Sequence, residues 1–163
     1  MSIKGTQCLR PACAIGDDMI NDALFSSART DWGTPQKLFD ELNKEFHFTL
    51  DPCANEQNHK CANYFTESDN GLLQDWGHET VFCNPPYGRC IEHWVAKCYE
   101  HAGIAVMLIP ARTDTKWFHD YVYKKDRVEV RFIRGRLNFE GAKNSAPFPS
   151  MVVIFVDASG KVF

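Results

Sequence analysis

Val81-Phe82-Cys83-Asn84-Pro85-Pro86-Tyr87 reads as a short buried strand that stops at two prolines. Two consecutive prolines fix two φ angles and remove two backbone donors, so the chain leaves the sheet there in a stiff, extended turn. A stiff turn at the carboxyl end of a strand is where open α/β sheets hold ligands. Such a turn fixes the Asn84 amide, the carbonyls around Pro85 and the Tyr87 ring relative to one another, with few donors nearby to compete. This cradle suits a planar amine, because two acceptors take its N–H groups while an aromatic face stacks on its ring. The competing reading is a proline-rich turn with an aromatic plug.

Outward from that turn, apolar periodicity predicts alternating helices and strands. Thr34-Pro35 predicts a helix start, with Thr34 as N-cap and Pro35 at the first helical position. Leu38, Phe39, Leu42 and Phe46 then recur at helical spacing. Phe46, Phe48 and Leu50 alternate, which predicts a strand ending at Asp51-Pro52. A polar loop from Asn55 to Lys60 leads to a weak strand near 63–65. A helix is expected from about Cys90 to His101, with Ile91, Trp94, Val95 and Cys98 as its apolar face. Residues 104–109 read as a buried strand ending at Pro110, and Trp117, Phe118 and Tyr121 as another helix. Strands follow at 128–133 and 151–156, separated by a loop containing Gly141, Pro147 and Pro149. Strands alternating with helices predict βαβ units and a mostly parallel sheet. Residues 1–30 lack periodicity and read as a loose or partly helical arm ahead of one domain over 31–163.

Composition bounds the answer. A chain of 163 residues, 44% hydrophobic and 13% aromatic, holds one domain with a substantial core. No apolar run approaches the roughly 20 residues needed to span a bilayer. Asp17, Asp18 and Asp22 interrupt the N-terminus, so no signal peptide is expected. The seven cysteines are an odd number without a C-x-x-C pair, which argues against a disulfide framework and a zinc ribbon and for a reducing cytoplasm. Cys53, His59, Cys61 and Cys83 fit no common zinc spacing, so no metal is expected. Net charge is −3, but it divides into −7 over residues 1–111 and +4 over residues 112–163. Arg112, Lys116, Lys124, Lys125, Arg127, Arg131, Arg134 and Arg136 form either a phosphate-facing edge or a solvated surface.

Three further stretches stand where a cofactor pocket needs them. Asp51-Pro52-Cys53-Ala54 ends the first strand, where small residues let the backbone approach a nucleotide; the alternative is an ordinary Asp-Pro turn. Ser68-Asp69-Asn70-Gly71 is a turn in which Asp69 either accepts from an adenine amino group or makes a local Asx turn. Trp32-Gly33-Thr34-Pro35 either lies over a cofactor or is a helix entrance.

Together with Ile-Pro-Ala-Arg-Thr-Asp at 109–114 and the segment from Arg136-Leu137-Asn138-Phe139 to Pro147-Phe148-Pro149-Ser150, these stretches resemble the phage-type, Dam-like DNA adenine N-6 methyltransferases. The resemblance spans about residues 31–156. It implies an α/β, Rossmann-like methyltransferase fold with a mostly parallel seven-stranded sheet and a late antiparallel strand. It further implies S-adenosylmethionine as methyl donor, with Trp32, Thr34, Pro35, Asp51, Pro52, Ala54 and Asp69 around it. The glycines of the usual first loop are missing, and the nearest carboxylates for a ribose are Glu56 and Glu67. Asn84, Pro85, Pro86 and Tyr87 become the catalytic element. Phe139 and Phe148 become walls for a base, or core plugs, and Arg112, Arg134 and Arg136 become phosphate contacts or internal ion pairs. The implied partner is double-stranded DNA with a flipped adenine, in the cytoplasm of a bacterial host if the gene belongs to a phage or prophage. No separate target-recognition domain, membrane or metal is expected, and monomer or dimer stays undecided. The same four-residue element also serves enzymes acting on an RNA base amine or a protein glutamine amide, and a non-catalytic nucleic-acid-binding module is the remaining alternative.

Overall fold

The computed structural model describes residues 32–157. The arm expected over 1–30, and Asp31, lie outside them. Among the described residues are helices α1 (Gln36–Phe46), α2 (Ile91–Glu100) and α3 (Lys116–Tyr121). The strands are β1 (Leu50–Asp51), β2 (Asn63–Tyr64), β3 (Val81–Cys83), β4 (Ala105–Pro110), β5 (Val128–Phe132) and β6 (Ser150–Phe155).

The strands make one sheet in the order β2-β1-β3-β4-β6-β5. β1 to β4 run parallel to one another, and β6 runs antiparallel to both β4 and β5. The mostly parallel sheet and its late antiparallel strand agree with expectation. Six strands, rather than seven, lie among the described residues. Between β2 and β3 the chain makes turns instead of another strand. Trp76 Nε1 donates to the Gly71 carbonyl at 2.9 Å, and Lys97 Nζ donates to the carbonyls of Leu72 and Gln74 at 2.9 and 2.8 Å. Side chains thus satisfy acceptors that a ladder would otherwise pair.

Successive side chains along a strand point to opposite faces, which sorts the layers. Phe82 meets Phe39 of α1 and Phe48, with ring centroids 5.1 and 5.2 Å apart. Cys83 points the other way, within reach of the Cys98 thiol of α2. α1 therefore covers one face and α2 the other, with α3 beside α2 through Tyr99 and Tyr121 at 5.6 Å. β4 and β6 are buried throughout and read as continuous apolar runs.

Two local expectations need correction. α1 starts at Gln36 with Pro35 in the N-cap position, and no side chain caps it; Thr34 is occupied elsewhere. The strand expected from Phe46 is only Leu50–Asp51. The helix instead runs through Phe46 and stops at His47, whose φ is 54°, and Asn43 Oδ1 accepts from the Phe48 amide at 2.8 Å.

Chain order runs outward from β1 to β2 on one side and from β3 to β4 on the other. The topological switch point therefore lies between β1 and β3, where sheets of this kind take ligands. The carboxyl ends of β1 to β5, and the start of β6, share that edge.

Candidate active site

At the end of β3, Asn84 is half-buried, Pro85 buried and Pro86 exposed. Asn84 Nδ2 donates to the Trp32 carbonyl and, at 3.0 Å, to Thr34 Oγ1. A main-chain carbonyl only accepts, so this contact decides which end of the amide is nitrogen. Oδ1 is left facing the Tyr87 hydroxyl at 2.9 Å. That hydroxyl also lies 3.1 Å from the Leu108 carbonyl of β4, so one proton serves two acceptors. Burial pushes the Tyr87 phenol well above its usual range, which keeps it neutral. Oδ1 retains a second lone pair, and the Pro85 carbonyl accepts no hydrogen bond among the described residues. The turn thus offers two adjacent acceptors, one of them in a fixed orientation.

The Tyr87 ring is not an open face. It is 9% exposed, with Phe139 and Phe148 at 6.2 and 5.6 Å, both nearly edge-on. Trp32 closes the cluster at 5.1 Å from Phe139 and 5.7 Å from Phe148. Phe139 is buried, as a core plug would be, whereas Phe148 stays half-exposed. Beneath the turn, the Cys53 and Cys83 sulfurs are 3.6 Å apart. Burial pushes both thiols up, so neither offers a thiolate.

Across the switch point, Asp51 ends β1 with its carboxyl buried and Oδ2 accepting from the Lys60 amide at 3.1 Å. Desolvation pushes it up from 3.8 to about 6. Ala54 donates its amide to the Phe65 carbonyl at 3.0 Å, continuing the pairing of β1 with β2. A Cβ added to Gly71 would lie 2.0 Å from the Pro52 carbonyl oxygen, so only glycine lets the 69–72 turn close on this loop. Two stretches that stand apart in the sequence are therefore joined. Asp69 is exposed, and its Oδ2 accepts from the Thr66 amide and hydroxyl at 2.8 and 2.7 Å. Those bonds hold its carboxyl below the usual range, and its other oxygen has no partner among the described residues. Glu56 and Glu67 are both exposed.

Residues that sequence reasoning passes over tie the 32–34 stretch to the late loop. The Gly33 carbonyl accepts from the Glu140 amide at 2.8 Å, in an isolated bridge where a Cβ on Gly33 would come within 3.0 Å of Glu140 Cβ. Lys60 Nζ reaches Glu140 Oε1 and Oε2 at 3.0 and 3.1 Å and Gln36 Oε1 at 2.9 Å. In sequence these polar residues read only as loop and surface. Trp32 Nε1 is buried without a hydrogen-bond partner among the described residues. An unpaired buried donor costs about 1–3 kcal/mol, so an orphan beside the ligand crevice fits a bound group that carries an acceptor.

Arg112 follows β4 and is half-buried, while Arg134 and Arg136 are exposed beyond β5, all at the same edge as Asn84. Arg131 is not part of this set: it pairs with Glu45 at 2.6 and 2.7 Å and with Glu129 at 2.6 Å. Two cavities of about 560 and 470 Å³ lie at the outer strands, one against β2 and Trp76 and one between β5 and α3. Neither includes a residue of the 84–87 turn. Among the described residues no three metal-ligating side chains converge, and no helix is long and apolar enough to cross a membrane.

The family model of DNA N-6-adenine-methyltransferase (Dam) matches residues 22–160. The chain is 30% identical over 135 residues to a DNA N-6-adenine-methyltransferase of Haemophilus phage HP1 (strain HP1c1), covering 76% of this chain and 77% of that protein. It is also 33% identical over 111 residues to a DNA N-6-adenine-methyltransferase of Escherichia phage T1, covering 65% of this chain and 45% of that protein.

Proposed function

We propose a division of labour among these residues for a chain that belongs to the DNA N-6-adenine-methyltransferase (Dam) family. The protein is a phage-type DNA adenine N-6 methyltransferase. S-adenosylmethionine, when bound, supplies an electrophilic methyl group on a sulfonium. Trp32, Pro35, Asp51, Pro52, Ala54 and Asp69 would hold it at the crevice between β1 and β3. Three observations support that placement: the switch point, the close approach of Gly71 to Pro52, and the unpaired Trp32 Nε1.

An adenine amine is a poor nucleophile because its lone pair is delocalised into the ring. Asn84 Oδ1 and the Pro85 carbonyl accept its two N–H groups, which favours a pyramidal nitrogen and frees the lone pair. Positive charge then develops on that nitrogen, so both acceptors bind the transition state better than the ground state. Hydrogen bonds to charged groups are worth about 1.5–3 kcal/mol each. The base must leave the duplex to arrive here, at a cost of a few kcal/mol. It takes the place of the half-buried Phe148 ring against Tyr87, and stacking returns about 1–3 kcal/mol. Arg112, Arg134 and Arg136 contact phosphates along the same edge.

The observation that carries this reading is the fixed orientation of the Asn84 amide, with Oδ1 turned away from the Trp32 carbonyl. Replacing Asn84 by alanine leaves cofactor affinity within about twofold while methylation falls at least about a hundredfold, as for removal of a preorganised polar group. Calorimetry with S-adenosylmethionine and methyl transfer to duplex DNA measure the two. A fully active Asn84→Ala enzyme overturns the assignment.

A further inference from the structure

We propose that Thr34 is a positioning residue for the reaction, acting through Asn84, with residues 32–34 forming a clamp on the catalytic amide. Thr34 is 2% exposed and stands immediately before the Pro35 that opens α1. A Thr-Pro pair at a helix start ordinarily sets the hydroxyl at the N-cap, yet here Pro35 holds that position and α1 has no side-chain cap. Thr34 Oγ1 instead lies 3.0 Å from Asn84 Nδ2, and the Trp32 carbonyl takes the other amide hydrogen. Turning the amide over would set Oδ1 against the Trp32 carbonyl, which only accepts, and would leave that carbonyl without its donor, whereas the Thr34 hydroxyl serves as acceptor for Nδ2 or donor to Oδ1. The Trp32 carbonyl therefore selects the amide orientation that leaves Oδ1 available, and the Thr34 hydroxyl, as a second acceptor at 3.0 Å, holds the amide plane in it.

The clamp is itself braced. Gly33 bridges to Glu140, and Lys60 ties Glu140 to Gln36 at the start of α1. The Lys60 backbone amide also caps Asp51. The exit of β1, the start of α1 and the loop carrying Phe139 and Phe148 thus all bear on the orientation of one side chain. Three segments distant in sequence bear on a single oxygen.

This inference rests on Asn84 being the acceptor of the amine, and the test separates the two. Thr34→Val removes the acceptor at nearly constant shape, and Thr34→Ser keeps it. Each is made alone and in the Asn84→Ala background, and kcat, KM for S-adenosylmethionine and the unfolding midpoint are measured. The valine variant is expected to lose about tenfold in kcat, with KM within about twofold, because only a transition-state interaction has been weakened. The serine variant recovers most of that loss, and in the Asn84→Ala background the valine change costs nothing further. If the valine variant does not fold, Thr34→Ala is read in the same way. Raised KM at unchanged kcat, losses that multiply across the two sites, or no recovery by serine each overturn the proposal. A fully active Asn84→Ala enzyme would instead sink the underlying assignment.

Discussion

Asp51 carries a charge that the fold resists. Its carboxyl is buried at the end of β1, and desolvation lifts it from 3.8 to about 6. A raised carboxylate binds its proton more tightly in the native state than in the unfolded chain. Stability from this group is therefore complete below about pH 3.8 and is lost as pH rises through about 6. At 1.36 kcal/mol per unit the loss is on the order of 3 kcal/mol. In the Asp51→Asn variant the side-chain carbonyl can still accept from the Lys60 amide but does not titrate. Urea denaturation should show the variant gaining on the wild type by about 2 kcal/mol between pH 4.5 and 7.5. Parallel stability profiles would mean that the carboxyl does not titrate in a buried setting. The position of Asp51 at a strand end is legible in Leu50-Asp51-Pro52; its burial is not, because the Lys60 amide that binds its carboxyl comes from the far end of a polar loop. Tyr87 teaches the same lesson. Its place after two prolines is local information, whereas the Phe139 and Phe148 rings that cover it arrive from a loop over fifty residues on.

Elements with one clear apolar pattern are the easiest to read, and β2 and β5 are matched within a residue although neither is buried. β3, β4, β6 and α2 fall within a residue or two of expectation, since an unbroken apolar run suits a buried strand and the Ile91, Trp94, Val95, Cys98 stripe suits only a helix. The passage from α1 to β1 misleads because Phe46 and Phe48 satisfy strand alternation and also pack as the last turn of a helix and the residue after its left-handed stop. The helix start misleads because the capping rule assumes a free hydroxyl, and Asn84 occupies that of Thr34. Charge is equally ambiguous between surface and tie. Arg131 of β5 forms a two-pronged pair with Glu45 of α1 and holds that carboxyl below its usual 4.5. Both side chains are more than a third exposed, which limits the pair to about 1 kcal/mol or less. A depressed carboxylate contributes above its unfolded value and loses that contribution as pH falls. Glu45→Gln should accordingly destabilise by up to about 1 kcal/mol at pH 7 and by nothing measurable at pH 3. Chemical denaturation at both values checks this, and an equal deficit at both would assign the loss to packing instead.

At the scale of the whole molecule, the question is how a chain of net charge −3 holds a polyanion. The answer lies in where the sheet sends its basic residues. Lys116 pairs with Asp120 and Arg131 with Glu45, so part of the basic segment is spent internally. Lys124 and Lys125 precede β5 and lie toward the edge opposite Asn84, whereas Arg134 and Arg136 follow β5 and lie, exposed, at the edge that carries Asn84. One strand thus separates two pairs of cations that sequence alone groups together. If DNA lies across the edge of Asn84, the arginine pair displaces counterions from phosphates and the lysine pair does not. Each displaced contact contributes about 0.9 to the slope of log affinity against log salt. Replacing Arg134 and Arg136 together by alanine should therefore weaken duplex binding and flatten that slope by up to about 1.8. The Lys124→Ala, Lys125→Ala variant removes the same formal charge and should leave the slope nearly unchanged. Fluorescence anisotropy with a labelled duplex between about 50 and 200 mM salt measures both. Equal flattening by the two variants would mean that DNA responds to the overall field of the basic segment rather than to contacts at the catalytic edge.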